Sequence, residues 1–105
     1  MSQPTFSEPK PGILSVAGDL RVEHAAEFAR RLLGQLDEQP SLHVQLLNVS
    51  DADVSTLQVM LMGVREAKRQ GKQLRWLGYG ACLEALVNLL GLSEELGAPL
   101  AVIWE

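Results

Sequence analysis

Short apolar runs and longer stripes of 3.6-residue period follow one another along this chain, and the change of period predicts its elements. The run Ile13-Leu-Ser-Val-Ala17 predicts a strand closed by Gly18-Asp19. A weaker strand over 5–8, marked by Phe6, precedes it. Between them Pro9-Lys-Pro-Gly12 predicts a turn, since two prolines and a glycine are poor continuations of a ladder. Ala25, Phe28, Ala29, Leu32 and Leu36 then fall at i, i+3, i+4, i+7 and i+11, predicting a first helix over 23–37. Its second-face residues Ala26 and Leu33 are expected to meet other helices. Leu42-His-Val-Gln-Leu-Leu47 predicts a third strand, central because it is apolar on both faces at its end, with a loop over 48–52 after it.

A second helix is predicted over 54–70, with Gly71 as the residue that ends it and Arg65, Lys68 and Arg69 complementing its dipole. Gln73-Leu-Arg-Trp-Leu77 predicts a fourth strand, and Gly78-Tyr-Gly80 a turn. A third helix over 81–90 carries Leu83, Leu86, Val87 and Leu90 on one face and stops at Gly91. A helical turn over 93–96 and a final strand over 100–104 complete the order ββαβαβ(α)β. Strands alternating with helices predict an α/β domain, a small mixed sheet of four to five strands with parallel pairs and right-handed crossovers. Three helices serving one small sheet are expected to pack on one face of it. The 105 residues are read as one domain, 1–105.

The stretch Asp51-Ala-Asp-Val-Ser-Thr-Leu-Gln-Val-Met-Leu61 concentrates the candidate chemistry. Asp53 suits the N-cap, its carboxylate accepting from first-turn N–H groups. Ser55 and Thr56 occupy that first turn, where an added phosphate would meet the positive end of the helix dipole. Leu57, Met60, Leu61 and Val64 form the expected core stripe. At about 100° per residue, Ser55, Val59, Met62 and Glu66 fall on the opposite side. Two readings of that side stand together. Val59 and Met62 are either contacts to neighbouring helices or the apolar anchors of a docking face beside a modifiable hydroxyl.

Composition narrows the function classes. The formal charge is −4 with both signs interspersed, and no basic stripe points to nucleic acid. No apolar run reaches the roughly 20 residues that span a bilayer. The start Met-Ser-Gln-Pro-Thr-Phe lacks the blocks of a signal peptide, so a cytoplasmic place is expected. The lone Cys82 fits a reducing compartment and, within a helical pattern, a buried structural thiol. His24 and His43 lack ligand or triad spacing. Asp51 and Asp53 are explained by a cap and a solvated loop carboxylate, so no metal is expected. Trp76 and Trp104 lie in predicted strands and are read as core. No catalytic pair stands out, so no cofactor and no enzymatic activity are expected.

The element order resembles the STAS domain (sulphate transporter and anti-sigma factor antagonist). So do Gly18-Asp-Leu20, the junction Asp53-x-Ser55-x-Leu57-Gln58, Gly71 before a strand, and Leu89-Leu-Gly-Leu92 closing the third helix. The resemblance runs from about Ile13 to Leu96. Family members in bacterial sigma-factor control carry Asp-Ser-Ser-Gly-Leu at this junction, and a partner kinase phosphorylates the second serine. The resemblance places that aspartate on Asp53, the phosphorylated serine on Ser55 and the leucine on Leu57. Val54 and Thr56 stand where the family has serine and glycine, and Gln45 where many members have an upstream aspartate.

The resemblance thus implies an anti-sigma factor antagonist-like phosphoprotein. Ser55, and after it Thr56, would be the modified residue. Asp53, Ser55, Thr56, Val59 and Met62 would meet a protein partner of anti-sigma factor or kinase kind. It also implies alternatives. One is a constitutive subunit bound to the ATPase of an ABC-type lipid transporter or to a chemosensory kinase. The other is a small-ligand or nucleotide sensor with its ligand at the same helix start.

Overall fold

The computed structural model describes residues 3–97, and the strand expected over 100–104 lies outside them. Strand β1 (Thr5–Lys10) pairs antiparallel with β2 (Ile13–Asp19), which runs parallel to β3 (Ser41–Asp51), itself parallel to β4 (Gln73–Tyr79), in the order β1-β2-β3-β4. Helix α1 (Ala25–Glu38) crosses from β2 to β3, and α2 (Val54–Gln70) from β3 to β4. Two right-handed crossovers stepping the same way across a sheet put both helices on one face, and α1 packs on α2. Helices α3 (Ala81–Leu89) and α4 (Ser93–Leu96) follow. The result is the mixed α/β sandwich expected from the alternation of periods.

The core lies between the sheet and the helices. Leu14, Val16, Leu42, Val44, Leu46 and Trp76 enter it from the strands, and Phe28, Leu32, Leu36, Leu57 and Met60 from the helices. Gly63 is what lets α1 and α2 close, because a Cβ there would stand 2.7 Å from Leu32 Cδ2 and 3.3 Å from Leu74 Cδ2. The Trp76 indole donates to the Leu96 carbonyl at 2.9 Å, tying α4 to β4.

Four expectations need correction. Strand β1 continues through Pro9 to Lys10, and the turn shrinks to Pro11-Gly12. An edge strand tolerates proline, and a register shift between Ser7 and Lys10 absorbs it. Helix α1 begins at Ala25 after a 3₁₀ turn over Val22–His24, and Ala26 is exposed rather than packed on another helix, while Leu33 is half-buried. Strand β3 runs to Asp51 where a loop from 48 was expected. Its polar tail stays in the ladder because Ala17, Gly18 and Asp19 of β2 pair with Asn48, Val49 and Asp51 through two register shifts. Those shifts leave Leu47 exposed instead of buried. Gly78 and Tyr79 belong to β4, with the Tyr79 ring buried and its hydroxyl donating to the Gly97 carbonyl.

Both ends of α2 match their sequence signals. Asp53 caps the start, and Gly71 stands left-handed at φ 68° after the last turn. There the Gly71 N–H reaches Lys68 O at 3.2 Å and the Lys72 N–H reaches Ala67 O at 2.9 Å.

Candidate functional site

The ends of β2 and β3 and the start of α2 converge on one side chain, the carboxylate of Asp53. Its Oδ1 accepts the Ser55 N–H at 3.0 Å and also the Ser55 hydroxyl. Its Oδ2 accepts the Val22 N–H at 3.0 Å, from a residue 31 positions earlier. Burial pushes the Asp53 carboxyl upward, but the Ser55 hydroxyl and the Val22, Ser55 and Thr56 N–H groups outweigh it. The net shift is downward, and the group stays ionised.

Thr56 completes a capping box. Its Oγ1 accepts the Asp53 N–H at 3.2 Å and donates to the Leu20 carbonyl at 2.7 Å, while the Leu20 N–H donates to the Asp51 carbonyl at 2.9 Å. Thr56 and Leu20 are both fully buried. Of the two first-turn hydroxyl residues, Thr56 is fully buried and Ser55 half-buried. Thr56 is therefore corrected from an alternative modification or contact residue to an internal brace.

One anchor of the face predicted for docking, Val59, is corrected as well. Val59 is 8% exposed and sits in the core, and Met62 is half-buried against it. The buried stripe of α2 comprises Thr56, Leu57, Val59, Met60, Gly63 and Ala67. It is wider than the large apolar residues alone indicate, because α2 touches α1, β4 and α4 together. The outward apolar groups near Ser55 are instead Val54, 53% exposed, and Val22, 64% exposed.

Beside them Asp19 is held by Arg21, whose Nε and Nη2 donate at 3.1 and 2.9 Å and whose backbone N–H donates at 2.9 Å. The Arg21 side chain and backbone bonds draw the Asp19 carboxyl down from 3.8 to about 2. A native pKa below the unfolded value means stability that is complete above pH about 4 and lost as pH falls toward 2. Asp19→Asn should therefore lower the thermal midpoint at pH 6, and the gap from the parent should close between pH 4 and 2. Equal midpoints at pH 6 would show the pair to be idle.

Arg21 and Val22 escaped the sequence reading, which singled out Gly18-Asp19 as a strand end and Gly18-Asp-Leu20 as part of the STAS resemblance. The one available signal was the acid two places before Arg21, a spacing suited to a side chain bonding its own turn. Cys82 is half-buried with its Sγ 3.6 Å from the Val49 carbonyl, and burial pushes its thiol up. It packs against the core as its helical pattern predicted, but it is half-buried rather than buried. Among the described residues no helix is long and apolar enough to cross a membrane.

The family model described as Mlab, STAS domain matches residues 6–101. The chain belongs to the STAS domain family. No curated protein matches it by sequence. An anti-sigma factor antagonist from Mycobacterium paratuberculosis is similar in fold, with a TM-score of 0.79 at 18% identity, covering 96% of this chain and 87% of that one. The Bacillus cell fate determinant SpoIIAA in its phosphorylated form gives 0.65 at 11% identity, covering 88% and 86%. A chain of the complex between the diguanylate cyclase SiaD and its activator SiaC from Pseudomonas aeruginosa gives 0.60 at 19%, covering 95% and 90%. At such identities the likeness is one of fold, and this STAS domain shares the SpoIIAA-like sheet and helices.

Proposed function

We propose that this STAS domain is a non-enzymatic regulatory module of the bacterial cytoplasm, anti-sigma factor antagonist-like. It docks a protein partner through the start of α2 and is switched by phosphorylation of Ser55. The observation that carries this reading is the division of labour between two adjacent hydroxyls. Thr56 is committed inside, whereas Ser55 stands at the surface of the helix start beside exposed Val54 and Val22. Val54 replaces Val59 as the apolar anchor, and half-buried Met62 extends the face along the helix.

Phosphorylated Ser55 would carry roughly −1.5 to −2 charge. Asp53 already occupies the nearest donors, and Asp51 is exposed close by in the chain. An interface closing over that charge would bury it without a partner, at a cost of several kcal/mol. Association should weaken accordingly.

A second reading is a constitutive subunit of an ABC-type lipid transporter or chemosensory assembly. It is favoured by Thr56, which braces the position where the family has a flexible glycine, and, for the chemosensory assembly rather than the lipid transporter, by Val54, which supplies no hydroxyl after the aspartate. Mass spectrometry of the peptide containing Ser55 and Thr56, from protein isolated out of its native cells, tests the two. Phosphate on Ser55 is expected. An unmodified peptide under every growth condition would transfer the assignment to the constitutive subunit.

A further inference from the structure

We propose that Asp53 is a latch through which the state of Ser55 reaches the 3₁₀ turn that follows β2. The inference rests on the assignment of Ser55 as the modified residue and adds to it a second moving part. Two hydrogen bonds bring the segment 20–22 to the start of α2 and a third ties it to the end of β3, and they differ in kind. Leu20 is held by the Thr56 hydroxyl and by the Asp51 carbonyl, both independent of Ser55. Arg21 is held back toward Asp19. Val22 is hydrogen-bonded to the start of α2 through its N–H, and that bond ends on the carboxylate that also accepts the Ser55 hydroxyl. Leu20 is thus a fixed pivot, and Val22 is the first residue past it whose tie depends on the chemistry at Ser55.

Phosphorylation removes the hydroxyl proton that Ser55 now donates to Asp53 and sets a dianion against the carboxylate. Both anions then compete for the first-turn N–H groups, where a phosphate is the stronger acceptor. Displacing Asp53 from the cap also takes its Oδ2 from the Val22 N–H. Val22 is 64% exposed and its tie lies at the surface, so no burial replaces the lost bond. The two exposed valines, Val22 and Val54, flank this carboxylate, and opening the latch changes their spacing. A partner that seats both would lose one of them in addition to meeting the new charge.

Amide hydrogen exchange followed by NMR on the intact chain tests the latch, comparing the parent with Ser55→Asp and Ser55→Ala. In Ser55→Asp the Val22 amide should exchange about ten-fold faster, the consequence of losing one charge-assisted bond at an exposed site. The Met60 amide, inside α2, should keep its parent rate. Ser55→Ala, which removes the hydroxyl without adding charge, should leave Val22 within about two-fold of the parent. An unchanged Val22 amide in Ser55→Asp overturns the latch, and so does acceleration of Val22 and Met60 together, which is general loss of stability. The outcome is separable from that of the phosphorylation switch. A protected Val22 alongside phosphate on Ser55 removes the latch and keeps the switch, whereas a released Val22 with Ser55 never modified keeps the latch as a property of the fold and removes the switch.

Discussion

A Thr56→Val variant is expected to lose about 3 kcal/mol of stability, although the substitution nearly preserves volume. Thr56 is fully buried, so its hydroxyl has no water to fall back on. It serves two backbone groups at once, the Leu20 carbonyl at 2.7 Å and the Asp53 N–H at 3.2 Å. Valine leaves both without that partner, and a buried group so abandoned costs about 1–3 kcal/mol, in full for the Leu20 carbonyl and in part for the half-buried Asp53 N–H. For a domain of about 100 residues the thermal midpoint should fall by roughly 12 °C or more. Ser55→Ala is the comparison. Its hydroxyl is half-buried and the Asp53 carboxylate keeps its bonds to the Ser55 and Val22 amides, so a loss of about 1 kcal/mol or less is expected. Urea unfolding of the three proteins checks the order. A Thr56→Val midpoint matching that of Ser55→Ala would mean that water reaches the Leu20 carbonyl and that the brace is not structural.

That contrast between neighbouring hydroxyls was half legible. The ends of α2 were readable because each carries a strong local signal, Asp53 as a cap and Gly71 where a left-handed residue is needed. The faces of α2 were not. Counting large apolar residues placed Val59 outside, whereas the buried stripe is defined as much by Thr56, Gly63 and Ala67, which score as polar or small. Smallness is the point at Gly63, where Leu32 occupies the space of a Cβ. The tail of β3 read as a loop because Asn48, Ser50 and Asp51 are poor strand formers. It is a strand because β2 runs alongside and supplies partners as far as Asp51. Least legible was the bond from Val22 to Asp53, which joins residues 31 positions apart with no period to announce it. The first-turn position and the resemblance to the STAS family both pointed to Ser55, and the cap signal gave its partner Asp53, while the bond from Asp53 on to Val22 came from topology.

Gly80→Ala is expected to be at least as damaging, with a loss of about 3 kcal/mol or more. The backbone at Gly80, φ −64° and ψ 160°, is open to any residue, so the whole effect is steric. An added Cβ would stand 2.4 Å from the Val49 carbonyl oxygen and 3.2 Å from that of Leu47. Both are main-chain atoms of β3, and neither can turn aside as a side-chain end does. Relief requires α3 to move off the strand, yet the Gly80 N–H is bonded to the Leu46 carbonyl at 3.0 Å and the Gly80 carbonyl accepts the Glu84 N–H that opens α3. Gly34→Ala is the control, since nothing lies within 4 Å of a Cβ there and the residue is helical; no loss is expected. If Gly80→Ala unfolds at the parent's urea concentration, β3 yields more easily than its pairing implies. The strand end that Gly80 touches continues to Asp51, whose carbonyl accepts the Leu20 N–H. The strain should therefore also be visible as faster exchange of the Leu20 amide, across the sheet from the substitution and beside the candidate site.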